Sequence, residues 1–159
     1  MDRTCYPCLE ERRIVITRAA HQADSFGSKL EHQGAQIFYL PLIRIERSQD
    51  ARCPEDPDSF DWLVITSANG VHYLNQCLLD AGYSLGSITK CRIAAIGKAT
   101  AEALAAHGVT TDVVPEKHVA DALAQELLAA EPVPQGKRVL LAQGDKAGRS
   151  LGRALELRG

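Results

Sequence analysis

Short apolar runs alternate with stretches of helical period along nearly the whole of this 159-residue chain, and few folds accept such a pattern. "RIVIT" (13–17) reads as a buried strand, after which Ala19, Ala23, Phe26 and Leu30 recur at helical spacing until Gly34 supplies a C-cap. "QIFYLPLIRI" (36–45) is the next predicted strand, with Pro41 marking an edge or a departure from the sheet. "WLVIT" (62–66) opens a second series, followed by a helix with Val71, Leu74, Leu78 and Ala81 on one face and Gly82 as its cap. Then come "RIAAIG" (92–97), a helix over 98–108, a strand "TDVVP" (111–115), a helix bearing Val119, Leu123 and Leu127, "RVLLAQG" (138–144), and a helix with Ala147, Leu151 and Leu155. Strand and helix alternating within each series predict an α/β fold: parallel sheets with helices on both faces.

Two polar stretches divide the chain. Residues 1–11 form a leader expected to be disordered, and 47–60, which carry Pro54 and Pro57, read as a linker. The expected domains are therefore 12–46, one β-α-β unit, and 61–159. Because the last predicted helix ends at Gly159 with no strand after it, the second domain is expected to lack its closing strand, and the chain to be a truncated form.

Composition narrows the chemistry. A net charge of -2 argues against a nucleic-acid partner held by a basic field, and no apolar run is long enough to span a bilayer, so no membrane partner is expected and the default compartment is the cytoplasm. Five cysteines without a secretion signal suggest reduced thiols. Cys5 and Cys8 form one C-x-x-C, but no second ligand pair lies at zinc spacing and the histidines are dispersed, so no metal is expected. His21, His32, His107 and His118 read as solvated residues near helix ends.

The turns that follow the strands carry the functional signal. "TRAA" (17–20), "TSANG" (66–70), "GKAT" (97–100) and "QGDKAG" (143–148) are small, polar and mostly glycine-bearing. In a parallel sheet, ligands bind beyond the carboxyl ends of the strands, where helix N-termini present unpaired N–H groups. Each turn alone is explained as well by ordinary helix capping; their shared position points to an anion held mainly by backbone amides. Neither a G-x-G-x-x-G after the first strand nor a P-loop nor a G-x-S-x-G elbow occurs, so dinucleotide binding, P-loop chemistry and a hydrolase triad lack support.

In order and spacing, "IVITRAAHQADSFGSKLEHQGAQIFYLPLIRIE", "DWLVITSANGVHYL", "RIAAIGKATAEALAAHGVTTDVVPE" and "GKRVLLAQGDKAGRSL" resemble the uroporphyrinogen-III synthase family from Arg12 to Gly159. The resemblance implies two flavodoxin-like domains joined by a β ladder, the first built from the opening β-α-β and the C-terminal part of the family's chain, the second from its middle. It implies cyclisation of hydroxymethylbilane to uroporphyrinogen III, with loss of water and inversion of ring D, in a monomer without cofactor or metal. On this view Thr17, Arg18, Thr66, Ser67, Ala68, Asn69, Gly70, Gly97, Lys98, Ala99, Thr100, Gly144 and Asp145 bind the substrate's carboxylates. The resemblance assigns no catalytic residue: the tyrosine that the family places after its second domain has no counterpart among Tyr6, Tyr39, Tyr73 and Tyr83. Ala142-Gln143 stands where the family often has an arginine, and Val119 where a small hydroxyl residue is common. Two other readings stay open: a non-catalytic tetrapyrrole-binding half-domain that associates through its open sheet edge, and a doubly wound enzyme for a phosphorylated small molecule.

Overall fold

The computed structural model describes residues 9–48, 51–130 and 136–157; most of the leader, with Cys5 and Cys8, lies outside them. Contacts divide the chain into two units at Glu46/Arg47.

The first unit is one parallel β-α-β motif. β1 (Arg13–Ile16) pairs in register with β2 (Gln36–Tyr39), and α1 (Ala20–Glu31) connects them. The helix stops where expected: Gly34 has φ 91°, and the Ala35 N–H returns to the Leu30 carbonyl at 3.2 Å. The segment before β1 joins this corner, because the Leu9 N–H donates to the Gln33 carbonyl at 2.9 Å. Small residues let α1 lie close to the strands: Ala19 and Ala23 are buried, and the Tyr39 hydroxyl occupies the space a side chain at Gly27 would need. Phe26, expected on the buried stripe, is instead 49% exposed, since two strands are too narrow to cover the whole stripe of a helix. β2 ends at Tyr39, six residues before the predicted limit. Pro41 has no N–H to continue the ladder; beyond it the Leu42 N–H still reaches the Thr17 carbonyl at 3.1 Å. Val15, Phe38, Leu40, Leu42 and Ile43 remain exposed.

The second unit is organised on β3 (Trp62–Ile65), whose four residues are all buried. β4 (Arg92–Ala95) and β5 (Val139–Ala142) flank it, both parallel, in the order β4-β3-β5. Alternate side chains of β3 serve opposite layers, as a strand requires. Leu63 and Ile65 pack with Val71, Leu74 and Leu78 of α2 (Ala68–Asp80) and Leu104 of α3 (Lys98–Ala105). Trp62 and Val64 pack with Leu123, Ala124 and Leu127 of α4 (Ala120–Ala130) and Leu151 of α5 (Ser150–Glu156). Helices therefore cover both faces of a parallel sheet, the predicted α/β class.

Three boundaries differ from expectation. The 111–115 run forms no strand of its own; Val113 makes a single parallel bridge to Ala94, and the Asp112 side chain takes the Ile93 N–H at 2.7 Å where a longer ladder would otherwise begin. The helix from residue 98 stops at Ala105, ahead of Gly108 with φ 76°. Ala147 lies in a turn, its N–H bonded to the Gly144 carbonyl at 3.0 Å, and α5 starts only at Ser150. Residues 51–60 lie along the second unit: Asp58 accepts the N–H groups of Thr89 and Lys90, and Cys53 packs against the core. Burial and a hydrogen bond to Cys77 push the Cys53 thiol up to about 11.

The amino end of this sheet is closed by charge. Asp61 accepts from Lys137 Nζ at 2.7 Å and from the Arg138 N–H at 2.8 Å, tying the start of β3 to that of β5. The guanidinium of Arg92 sits 4.4 Å from the Trp62 ring, and that of Arg138 4.7 Å from Phe60. Among the described residues no helix is long and apolar enough to cross a membrane.

Leu63→Ala should cost about 2–5 kcal/mol in chemical denaturation, the range for emptying a packed core site, whereas Phe26→Ala should cost far less. The side-chain hydrogen bond from Lys137 and the backbone N–H of Arg138 hold Asp61 below its ordinary value of 3.8. Its stabilising contribution is therefore present above that pH and lost as the pH falls through the lowered folded value. Asp61→Ala should flatten the acid limb of a stability-versus-pH curve, and an unchanged limb would show that the clamp carries no stability.

Candidate functional site

Parallel register decides which turns meet. Ile65 pairs with both Ala95 and Ala142, so the three strands end level and their outgoing turns share one rim. The join is direct: the Thr66 N–H donates to the Ala142 carbonyl at 3.2 Å, and the Ile96 N–H to the Ile65 carbonyl at 3.1 Å. The turns 66–70, 97–100 and 143–148 are thus adjacent. The fourth turn, with Thr17 and Arg18, belongs to the first unit, where it leads from β1 into α1.

At the first of these turns Ser67 is extended (φ -165°, ψ 156°) and its Oγ accepts the Gly70 N–H at 3.0 Å, a side-chain N-cap for α2. Ser67 therefore spends its hydroxyl on the helix. Thr66 Oγ1 lies 3.4 Å from the Ala142 carbonyl and fastens the turn to β5. Gly70 is hemmed in: a Cβ would stand 3.2 Å from Ile65 Cγ2 and 3.4 Å from the Ala142 oxygen. Ala68 and Asn69 occupy the first two helical positions and are partly exposed at the rim.

The second turn is built around Gly97, which caps α3 with its carbonyl, accepting from Thr100 and Ala101 at 3.0 and 3.1 Å. Thr100 is buried, while Lys98 and Ala99 open the helix on the exposed side. At the third turn Gly144 and Asp145 are exposed, and Asp145 Oδ1 accepts the neighbouring Lys146 N–H at 2.8 Å. In the first unit Thr17 and Arg18 are exposed too; Arg18 Nε donates to Gln22 Oε1 at 3.0 Å, and α1 has no side-chain cap.

The approach to α4 adds residues that no motif marks. The His118 ring lies directly on Gly97, where a Cβ would come within 2.7 Å of its Cγ. With Lys98, Ala101, Glu102, Val114, Pro115 and Glu116 it lines an open groove of about 520 Å³ beside the rim. Sequence spacing places His118 only near a helix end; its position follows from the bridge that lays residues 111–115 along β4.

Chemically the rim offers helix first-turn N–H groups, small side chains and Lys98, an arrangement suited to anions. Among the described residues no group of three or more His, Cys, Asp or Glu side chains is placed to hold a metal ion. Ser67→Ala should lower stability by about 1 kcal/mol, the ordinary worth of an N-cap. Thermal denaturation checks this, and a loss near zero would mean the Gly70 N–H finds another partner.

A family model described as uroporphyrinogen-III synthase HemD matches residues 24–159. The chain is 32% identical over 143 residues to a uroporphyrinogen-III synthase of Synechococcus elongatus, covering 87% of this chain and 52% of that one. It is also 32% identical over 113 residues to one of Chlorobaculum parvum, covering 70% and 45%. The chain thus spans about half the length of the curated relatives it matches. Crystal structures of uroporphyrinogen III synthase from the extremely thermophilic bacterium Thermus thermophilus share the fold at 21% identity, with TM-scores of 0.53 and, for a triple mutant, 0.57. Each likeness covers 93% of this chain and 57% or 58% of the crystallised one.

Proposed function

Since the chain belongs to the uroporphyrinogen-III synthase family, we propose that its second unit grips the carboxylate arms of hydroxymethylbilane during closure to uroporphyrinogen III. One observation carries this reading: three strands ending level bring the turns at 66–70, 97–100 and 143–148 to a single rim of helix-opening backbone. A linear tetrapyrrole with eight carboxylates needs many weak, directional anchors more than it needs one nucleophile. Backbone N–H groups supply such anchors without charge to desolvate.

Departure of the terminal hydroxyl as water leaves a delocalised azafulvene cation. Ring D then attacks through its substituted carbon, by way of a spiro intermediate, and is inverted in the product. The protein's part is to hold the two ends of the chain in that geometry, and effective molarities can supply roughly 7 to 11 kcal/mol of such a barrier. Thr66, Ser67, Ala68, Asn69 and Gly70 form one proposed clamp, Gly97, Lys98, Ala99 and Thr100 a second, and Gly144 with Asp145 a third. Thr17 and Arg18, on the first unit's own turn, are proposed carboxylate contacts.

A second reading is a tetrapyrrole-binding half-domain without turnover. The two separate on product. Given fresh hydroxymethylbilane, the 159-residue chain binds it under both readings, and release of mainly the uninverted type I ring of spontaneous closure would favour the half-domain. Rapid, predominant type III product would exclude the half-domain reading and assign full catalysis to these residues.

A further inference from the structure

We propose that the groove beside the rim seats one pyrrole ring together with one of its two carboxylate arms, and that His118 and Lys98 are the residues that position it. This inference rests on the tetrapyrrole reading above and adds a residue, His118, that the turn motifs leave out.

The lining decides the occupant. Ala101, Val114 and Pro115 give an apolar surface, and around it stand Lys98, His118, Glu102 and Glu116. Among the described residues, neither Lys98 nor His118 has a hydrogen-bond or ion-pair partner for its side chain. A phosphate or other compact polyanion has no apolar face to set against Ala101, Val114 and Pro115. A purely apolar ligand would leave four polar groups facing it. A pyrrole has flat apolar faces for Pro115 and the imidazole, an N–H that a glutamate can accept, and a carboxylate arm for the Lys98 ammonium. A groove of about 520 Å³ also falls within the size range of small-molecule sites.

Gly97 makes the arrangement possible. Its backbone is extended (φ -177°), so glycine is not needed there for conformation; it is needed for room. Any side chain at 97 would push the His118 ring off the turn and open that wall of the groove. Gly97→Ala therefore tests the ring's placement without altering its chemistry.

The test uses the full chain, isotope-labelled, with uroporphyrin III as the stable probe and a monopyrrole bearing one acetate and one propionate as its fragment. Both should shift resonances of Lys98, Ala101, Glu102, Glu116 and His118, and the tetrapyrrole should shift residues 66–70 as well. His118→Ala and Gly97→Ala should each weaken probe binding by about two- to tenfold, the scale of one lost ring contact. His118→Phe, which keeps a flat ring, should restore it. Lys98→Gln should cost about two- to fivefold and reduce the dependence on salt. If uroporphyrin III shifts 66–70 while the groove stays silent and His118→Ala binds as the parent does, the groove inference is overturned and the family reading stands. If the probe binds nowhere on the chain, both the groove inference and the carboxylate-clamp reading fall.

Discussion

The in-register pairing of β3 with strands on both sides is the constraint from which the rest of the second unit follows. Because Trp62 faces both Arg92 and Val139, and Ile65 faces both Ala95 and Ala142, three strands begin and end at common levels. Parallel pairing obliges each connection to cross over a face, which places α2 and α3 on one side and α4 and α5 on the other. It also gathers every strand-to-helix turn at one end. A slip of one residue along β3 would exchange Leu63 and Ile65 for Trp62 and Val64 between layers and part the turns at the same time.

The two ends of the sheet are used differently. At the amino end, polar groups are already engaged: Asp61 with Lys137 and Arg138, Asp112 with Ile93 and Arg92, guanidinium groups against Trp62 and Phe60. At the carboxyl end, the Ser67 cap, the Thr66 contact, the Gly97 carbonyl and the Asp145 side chain hold the turns in shape. The exposed pairs contribute little each, with median values of about 0–1 kcal/mol. Their main effect is to fix the register that aligns the other end.

Much of this was legible in the amino-acid sequence because burial and period are local signals. The runs around 62–65, 92–95 and 139–142 are apolar enough to specify strands of the sheet, and Gly34 and Gly82 mark helix ends by their positive φ. What escaped depends on neighbours remote in sequence. Residues 111–115 have a strand's composition, yet only Val113 bridges, because the Asp112 side chain takes a backbone donor of β4. Phe26 has the right spacing for burial but too little sheet beneath it. At the site, the three turns of the second unit can be read from their residues. His118 cannot, since nothing in its neighbourhood of sequence announces that it will rest on Gly97.

The Asp61 clamp also bears on the order in which the second unit forms. Contacts that fasten the linker to the segment before β4 span 31 residues, whereas the bond from Asp61 to Arg138 spans 77. Loop closure favours the nearer pair by roughly 1 kcal/mol or less, and by more once intervening helices stiffen the shorter connection. Strands β3 and β4 with α2 between them are then the natural nucleus, and β5 arrives last. During that interval one edge of β3 is open, with its buried side chains half covered. Lys137 and Arg138 stand at the head of β5, where their bonds to Asp61 match its register to β3.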